Sequence, residues 1–315
     1  MENLVEINNL NLFFDEYQAL YGVNLKLKKG LMHALVGESG CGKTLTAMSV
    51  MRLLPKRAVI KSGEILFNNE NLLDFKEKQM REIRGNKIAL IPQDPMTSLN
   101  PLFTVENQIV ESIRAHSHVS YRQALRKAKE ALDMVRFPDI NNKIKFYPHE
   151  FSGGMTQRLI IARALATNAE RIIADEPTTA LDVTIQKQIM DLIDEIKRDT
   201  KTTILLISHD LALVSNYADY VSVMYAGHIT EEADAEEFFK NPIHPYSNAL
   251  LNSLPTRNQA LKLKTIEGAP PSIQECISGC HFHPRCEWCK KEICTTQIPQ
   301  LEEKRQNHYV SCLIK

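Results

Sequence analysis

The sequence predicts an α/β protein whose core is a mostly parallel sheet. Four apolar, β-rich runs along the 315-residue chain each end in a polar loop. Continuous apolar runs of this kind are typical of strands buried on both faces of a parallel sheet. The runs are HALVGESG at 33–40, IALIPQD at 88–94, RIIADEP at 171–177 and TILLISHD at 203–210. The length of 315 residues is enough for one large domain with an appendage, and the hydrophobic content of 43% is normal for a globular core.

The segments outside these runs predict the other elements. The first 30 residues contain LVEINNLNLFF and VNLKLKKG, whose alternating pattern predicts antiparallel strands. Residues 104–135 are highly charged, and their apolar residues recur at spacings of three and four. That spacing is typical of an amphipathic helical insertion, and we place a helical subdomain at about 95–152. The pattern weakens near residue 240, so we predict a main domain at 1–240 and a C-terminal extension at 241–315 that begins with a Pro-bounded helix, NPIHPYSNALLNSLP.

Charge and apolar content restrict the class of protein. Lys plus Arg equals Asp plus Glu, at 38 each, so no net charge draws the chain to nucleic acid or to an anionic membrane. The sequence has no run approaching 18 apolar residues, and its start lacks the pattern of a signal peptide. We therefore expect a cytosolic protein that reaches a membrane only through partners.

GESGCGKT at 37–44 fits the phosphate-binding pattern G-x-x-x-x-G-K-[ST], known as Walker A, between an apolar strand and a helix. Glycines let backbone N–H groups wrap phosphate oxygens, and the helix N-terminus favours negative charge. In this arrangement Lys43 bridges the phosphates and Thr44 ligates Mg²⁺. The pattern predicts a nucleotide site.

The strand RIIADEP delivers Asp175 and Glu176 to one end of the sheet. One carboxylate there can orient Mg²⁺ through its water shell, and the second can polarise an attacking water. An apolar run that ends in two acids is also typical of a strand that stops at a solvated turn. The Walker A pattern favours the catalytic interpretation.

Two further segments carry possible phosphate contacts. FSGGMTQR at 151–158 places Ser152, Gly153 and Gly154 before a helix, where exposed N–H groups favour an anion. SHD puts His209 at the tip of the last strand, within possible reach of a γ-phosphate. Taken singly, these segments are more often a capped helix and a capping histidine.

The order of these motifs resembles that of ABC ATPases, specifically the nucleotide-binding subunits of transporters. Walker A is followed by a glutamine loop (PQD), the signature FSGGM, Walker B (IIADE), the TALD turn at 179–182 and SHD, and the resemblance covers roughly residues 4–235. The signature departs slightly from the family pattern, because Phe151 and Met155 stand where Leu and Gln are commonest. The resemblance implies a P-loop ATPase with an antiparallel β subdomain and a helical subdomain.

The resemblance also implies roles for individual residues. Glu176 is expected to be the general base and His209 the γ-phosphate clamp, while Gln93 and Thr44 ligate Mg²⁺. Phe14 lies at the offset of the aromatic residue that stacks on adenine, with Tyr17 as the rival. The expected ATP-binding residues are Phe14, Tyr17, Gly37, Glu38, Ser39, Gly40, Cys41, Gly42, Lys43, Thr44, Leu45, Gln93, Ser152, Gly153, Gly154 and Asp175.

The resemblance implies an assembly. In this family the signature of one subunit contacts the ATP held by the other, so a dimer is expected. DPMTSLNPLFTV at 94–105, the segment at 241–255 and GCHFHPRC resemble ATP-binding subunits of the dipeptide, oligopeptide and nickel import family. That family implies a second ATPase chain, usually a paralogous one, although the motifs leave open a second copy of this chain. It also implies two transmembrane permease subunits, an extracytoplasmic solute-binding protein and a place on the cytoplasmic face of the membrane. We expect peptide as the solute, with nickel as the alternative.

Two other classes remain as rivals. A soluble ABC ATPase acting on DNA or ribosomes normally carries two cassettes or a long coiled coil, and neither is present in the sequence. The neutral charge also argues against a nucleic-acid partner. The second rival is a redox or metal-sensing module built on the cysteine-rich tail.

Six of the seven cysteines lie in the last 40 residues. In a reducing compartment such clustering favours a metal site over disulfides. Spacing alone does not choose between structural Zn²⁺ and an iron–sulfur cluster, and His281 and His283 are further possible ligands.

The resemblance implies a structural [4Fe–4S] cluster on four of these cysteines. The expected ligands are Cys280, Cys286, Cys294 and Cys312. Cys276 and Cys289 are then extra thiols. Because Cys289 lies between Cys286 and Cys294 and the gap is one residue longer than expected, the choice between Cys289 and Cys294 stays open.

Overall fold

The computed structural model describes residues 3–167, 169–179, 181–254 and 266–315. Ala180 of the predicted TALD turn and Pro255, which ends the predicted 241–255 helix segment, lie outside the described residues. The chain is divided into two compact units. The first unit comprises residues 1–73 and 207–315, and the second comprises residues 74–206.

The described strands and helices are numbered in chain order. The strands are β1 (Asn3–Phe14), β2 (Tyr17–Lys28), β3 (Met32–Val36), β4 (Ala58–Phe67), β5 (Glu70–Asn71), β6 (Ile88–Ile91), β7 (Arg171–Asp175), β8 (Thr203–Ser208), β9 (Tyr220–Tyr225), β10 (His228–Asp234), β11 (Glu302–Arg305) and β12 (His308–Val310). The helices are α1 (Lys43–Met51), α2 (Glu77–Ile83), α3 (Pro95–Ser98), α4 (Val105–His116), α5 (Tyr121–Met134), α6 (Ile140–Lys143), α7 (Gly153–Leu165), α8 (Val183–Thr200), α9 (Leu211–Tyr217), α10 (Ala235–Lys240), α11 (Pro245–Asn252) and α12 (Lys291–Cys294).

The first unit contains the antiparallel strands predicted for the N-terminus. They lie in the order β2-β1-β4-β5, and each neighbouring pair is antiparallel. Leu12 of β1 pairs with Leu20 of β2, and both side chains are fully buried. The alternating pattern therefore places one face of this sheet in the core.

A second set of strands in the first unit has the order β11-β12-β10-β9-β3. Strands β3 and β9 pair in parallel and are buried along their whole length, as the continuous apolar runs predict. The C-terminal hairpin β11–β12 extends this set by antiparallel pairing with β10, where Glu231 pairs with Val310. A separate cysteine-rich extension is therefore not confirmed, because the end of the chain is part of the first unit.

A buried carboxylate ties the C-terminal hairpin to β10. Glu231 is fully buried and accepts hydrogen bonds from the backbone N–H groups of Ile243 (2.7 Å) and His244 (3.0 Å). Its Oε1 also lies 2.6 Å from Nε2 of His308, which is fully buried too. Since a buried carboxylate needs such partners, this network fixes three segments at one point.

The second unit contains the strand order β8-β7-β6, and the division between the units falls within β8. Strands β6 and β7 pair in parallel, so their carboxyl ends meet at the same edge. The helical stretch predicted at 104–135 forms α4 and α5, with a break at Ser117–Ser120. Ser120 begins α5 through a capping box with Gln123, which explains why the amphipathic pattern does not form one helix.

Candidate functional site

The loop between β3 and α1 has the geometry of an anion site. Gly37 adopts φ +151°, and a Cβ there would lie 2.1 Å from the backbone oxygen of Met224 in β9, so no side chain fits. Gly42 precedes α1 with φ +110° and forms no side-chain cap. Gly42 at the start of α1 therefore leaves its N-terminus open to a ligand, and helix N-termini of this kind attract anions.

Lys43 is buried and held by its own loop. Its Nζ donates to the backbone oxygens of Gly37 (2.8 Å) and Glu38 (2.9 Å). Burial raises the pKa of the neighbouring Cys41 thiol, so this side chain packs as a neutral group. The Lys43 ammonium group therefore lies inside the loop, where the Walker A motif places it to contact phosphates.

A cleft of about 480 Å³ opens beside this loop in the first unit. Gly40, Gly42 and Leu45 line it on the side of the loop and helix α1, and Gln18 lines it from β2. Residues between 271 and 281 of the C-terminal segment also line it. Three of the predicted ATP-binding residues, Gly40, Gly42 and Leu45, therefore line a cleft to which the C-terminal segment contributes.

Both candidates for adenine stacking lie at the hairpin that joins β1 and β2. Phe14 and Tyr17 pair directly across the turn, and both side chains are half-buried. Tyr17 has a raised pKa, caused first by a hydrogen bond with Glu16. Because both residues are half-buried at one hairpin, the choice between them stays open.

His209 follows the last residue of β8. Its side chain is exposed, and the next residue, Asp210, begins α9 by accepting a hydrogen bond from the N–H of Leu213 at 3.0 Å. The capped helix fixes the backbone on one side of His209 and the strand fixes it on the other. The histidine therefore stands at a rigid strand end, as the SHD motif predicts.

In the second unit, three predicted residues meet at the ends of β6 and β7. Oε2 of Glu176 accepts hydrogen bonds from Nε2 of Gln93 at 3.0 Å and from Oγ1 of Thr179 at 2.9 Å. Glu176 has φ +45°, a left-handed conformation that costs free energy and is enriched at functional sites. Asp175, the last residue of β7, is 2% exposed. The role of Thr179 in holding the carboxylate is not evident from the sequence, where it is only part of a turn motif.

The signature residues lie at the start of α7. Ser152 precedes this helix, exposed and without a side-chain cap, and Gly153 is exposed beside it. Gly154 packs so closely on α8 that a Cβ would lie 2.7 Å from Cγ2 of Ile185. The departure from the family pattern at Phe151 is accommodated by an edge-on contact with Phe137, with ring centroids 5.6 Å apart.

The predicted cluster ligands approach one another in the first unit. The pKa of Cys280 is raised to about 11, mainly by burial and in smaller part by the nearby Cys294 and Cys312. Burial likewise raises the pKa of Cys286 to about 11, with added effects from Cys280 and Cys312. Cys289 interacts with Cys294.

These cysteines do not by themselves make a metal site. All seven are free, and among the described residues no group of three or more His, Cys, Asp or Glu side chains is arranged to hold a metal ion. The predicted iron–sulfur cluster is therefore not supported. No helix within the described ranges is both long enough and apolar enough to cross a membrane.

Contacts between distant parts of the chain were missed by the sequence reasoning. Arg285 forms an ion pair with Glu38 of the phosphate-binding loop, and the hydroxyl of Tyr246 accepts a hydrogen bond from the Glu38 N–H at 2.9 Å. Neither Arg285 nor Tyr246 belongs to a nucleotide-binding motif. The sequence carries no signal that pairs them with the loop.

Comparison with known proteins adds two family matches. Residues 20–179 match the family described as ABC transporter, and residues 230–294 match the oligopeptide/dipeptide transporter C-terminal region. The chain is 49% identical over 298 residues to a probable peptide ABC transporter ATP-binding protein of Sinorhizobium fredii, covering 94% of this chain and 89% of that protein. It is 43% identical over 321 residues to the dipeptide transport ATP-binding protein DppD of Bacillus subtilis, covering 100% and 96%.

Solved structures agree with these matches. A dimeric bacterial ABC transporter cassette superposes with a TM-score of 0.66 at 26% identity, covering 73% of this chain and 98% of that chain. A post-hydrolysis state of an ATP-binding cassette bound to ADP and Pi superposes with a TM-score of 0.65 at the same identity and coverage. The predicted α/β P-loop fold is confirmed.

Proposed function

The chain belongs to the ATP-binding proteins of ABC transporters, and we propose that it is the ATP-hydrolysing subunit of an importer of di- or oligopeptides. The observation that carries this proposal is the identity of 43% or more, over nearly the whole chain, to proteins named for peptide and dipeptide transport. The separate match of residues 230–294 to a transporter C-terminal region supports the same solute class.

In this proposal the first unit binds the phosphates and the base of ATP. Backbone N–H groups of the loop at 37–42 and the start of α1 receive the phosphate oxygens, and Lys43 neutralises their charge. An aromatic ring at the β1–β2 hairpin, Phe14 or Tyr17, stacks on adenine.

The second unit supplies the base that activates water. One carboxylate oxygen of Glu176 is committed to Gln93 and Thr179, so the carboxylate is oriented before substrate arrives. The oriented carboxylate accepts the proton of the attacking water. His209 is assigned the contact with the γ-phosphate.

The proposed Mg²⁺ ligands have the chemistry that the ion prefers. The Thr44 hydroxyl and the Gln93 amide oxygen are hard oxygen donors, and Asp175 orients the water shell. Because the Gln93 amide nitrogen donates to Glu176, the amide oxygen is the atom that ligates Mg²⁺. When bound, the ion neutralises charge on the β- and γ-phosphates.

The assembly we propose follows from the family. Ser152, Gly153 and Gly154 contact the ATP held by a second, paralogous ATPase chain, and the exposure of Ser152 and Gly153 supports this role. Two transmembrane permease subunits carry the solute, which an extracytoplasmic binding protein delivers. The chain then lies on the cytoplasmic face of the membrane as a peripheral subunit.

We also propose a structural [4Fe–4S] cluster on Cys280, Cys286, Cys294 and Cys312. The resemblance of the cysteine spacing to that of the import family supports it, and so does the influence of Cys294 and Cys312 on Cys280, which indicates that these three thiols lie near one another. Anaerobic purification followed by iron and sulfide assays tests this. Two equivalents or fewer of iron, or zinc in its place, would contradict the cluster.

The experiment that tests the function is reconstitution. The chain is combined with its paralogous ATPase and permease subunits in liposomes, and ATP hydrolysis is measured with binding protein loaded with dipeptide, oligopeptide or nickel. We expect stimulation by the peptide-loaded protein. Stimulation by nickel alone would contradict the solute, and no ATP hydrolysis in any arm would contradict the ATPase assignment.

A further inference from the structure

The C-terminal segment (residues 266–315) contacts the phosphate-binding loop through a half-buried ion pair. Arg285 donates from one terminal nitrogen to Oε2 of Glu38 at 2.7 Å and from the other to Oε1 at 3.0 Å. The Arg285 side chain is 6% exposed and that of Glu38 is 24% exposed. A bidentate ion pair of this kind has a defined geometry and is stronger than a neutral hydrogen bond.

The guanidinium group of Arg285 is also held by groups other than Glu38. Its Nε donates to the backbone oxygen of Glu267 at 3.0 Å, and one terminal nitrogen donates to the oxygen of Gly268 at 3.1 Å. It also lies 5.8 Å from the centre of the Tyr225 ring in β9. Arg285 is therefore a fixed donor that joins the C-terminal segment to the loop.

Glu38 also forms hydrogen bonds with Tyr246 and with Lys43, the phosphate-binding lysine. The Glu38 N–H donates to the hydroxyl of Tyr246, a fully buried residue of α11, so the backbone is held as well as the side chain. The Glu38 backbone oxygen accepts the hydrogen bond from Lys43 at 2.9 Å. One residue of the loop thus connects Arg285 to Lys43.

We propose that Arg285 is a positioning residue for the phosphate-binding loop, which it holds through Glu38 in the conformation that receives ATP. The inference rests on the proposed function, because the loop needs this conformation only if the chain binds ATP. Residues between 271 and 281 line the cleft beside the loop, so the C-terminal segment also forms part of the surface around the nucleotide. ATP affinity is then a property of the C-terminal segment as well as of the Walker motifs.

The test is a double-mutant cycle on the full chain, read as the affinity for fluorescent mant-ATP with Mg²⁺. Arg285→Met and Glu38→Gln are each expected to weaken binding by about tenfold, and the double variant is expected to be no weaker than either single one. Arg285→Lys keeps the charge but cannot form the bidentate contact with Glu38, so this variant is expected to bind mant-ATP with intermediate affinity. The matched control is Arg305→Met, because Arg305 lies in the same C-terminal segment and forms an exposed ion pair with Glu237. This variant should bind mant-ATP like the wild type.

A second readout separates positioning from a structural role. In steady-state hydrolysis we expect Arg285→Met and Glu38→Gln to raise KM for ATP while kcat changes by less than about twofold, because neither Glu176 nor Gln93 belongs to this network. Glu38→Gln leaves Arg285 bonded to two backbone oxygens, so this variant should fold even if Arg285→Met does not.

Three outcomes decide between the two proposals. Folded variants that bind mant-ATP as tightly as the wild type would overturn the positioning role while leaving the ATPase function intact. Losses that multiply in the double variant would also overturn it, because Arg285 would then act independently of Glu38. A wild-type chain that does not bind mant-ATP would overturn the proposed function and this inference with it.

Discussion

The amide nitrogen of Gln93 donates a hydrogen bond of 3.0 Å to the carboxylate of Glu176. The two residues are 83 positions apart in the sequence, yet they lie at the ends of neighbouring parallel strands. Because Thr179 donates to the same oxygen, two donors fix the carboxylate. A fixed carboxylate suits a general base, since a base must be held near the proton that it removes.

Glu176→Gln is expected to slow ATP hydrolysis by about a hundredfold or more, because the amide cannot accept the proton of water. ATP binding should be kept, since the amide is close to the carboxylate in size. Phosphate release at saturating ATP measures the first effect, and mant-ATP titration measures the second. The matched control is Glu130→Gln on the exposed face of α5, which should hydrolyse ATP at the wild-type rate. An unchanged rate in Glu176→Gln would show that another group is the base.

Gln93→Ala is expected to raise the Mg²⁺ concentration required for half-maximal hydrolysis. The change removes a proposed metal ligand and also one of the two donors that hold Glu176, so kcat should fall as well. A Mg²⁺ titration at fixed ATP measures both effects in one experiment. If only kcat fell and the Mg²⁺ requirement stayed the same, Gln93 would orient Glu176 without ligating the metal.

How far the sequence predicts this site depends on how far apart the interacting residues are. The loop at 37–42 and the start of α1 were predictable, because a strand, a glycine-rich turn and a helix adjoin in the chain. The same holds for His209 at the end of β8. Arg285 and Glu38 are separated by 247 positions, and no periodic pattern or motif joins them. Their contact depends on how the C-terminal segment packs, which short-range signals do not encode.

The C-terminal segment shows the same limit. The sequence predicts a cysteine-rich extension there, but it does not predict that β12 pairs with β10 or that the buried His308 bonds to Glu231. A short, charged strand such as β11 has all four residues exposed and lacks the alternation by which strands are recognised. Only the pairing partner identifies it as a strand.

His308→Ala is expected to lower the free energy of unfolding by about 3 kcal/mol, because it removes a partner from the fully buried carboxylate of Glu231. The backbone N–H groups of Ile243 and His244 remain as donors, so the fold should survive. Urea unfolding followed by circular dichroism gives the change. The exposed His118→Ala variant serves as the control and should unfold like the wild type. A loss below about 0.5 kcal/mol would mean that water replaces the histidine.

Glu232→Gln is expected to change how stability depends on pH. Burial raises the pKa of Glu232 from the ordinary value of 4.5 to about 7, although a hydrogen bond from Ser222 and the nearby Lys28 lower it. The folded chain therefore binds more protons than the unfolded chain between about pH 4.5 and 7, so this group's contribution is present below that range and is lost as the pH rises through 7. Relative to the wild type, Glu232→Gln should gain on the order of 2 kcal/mol in the free energy of unfolding between pH 5 and 8.

Urea unfolding at several pH values measures this, and Glu111→Gln on the exposed face of α4 is the control. A constant difference across the range would show that Glu232 does not titrate there.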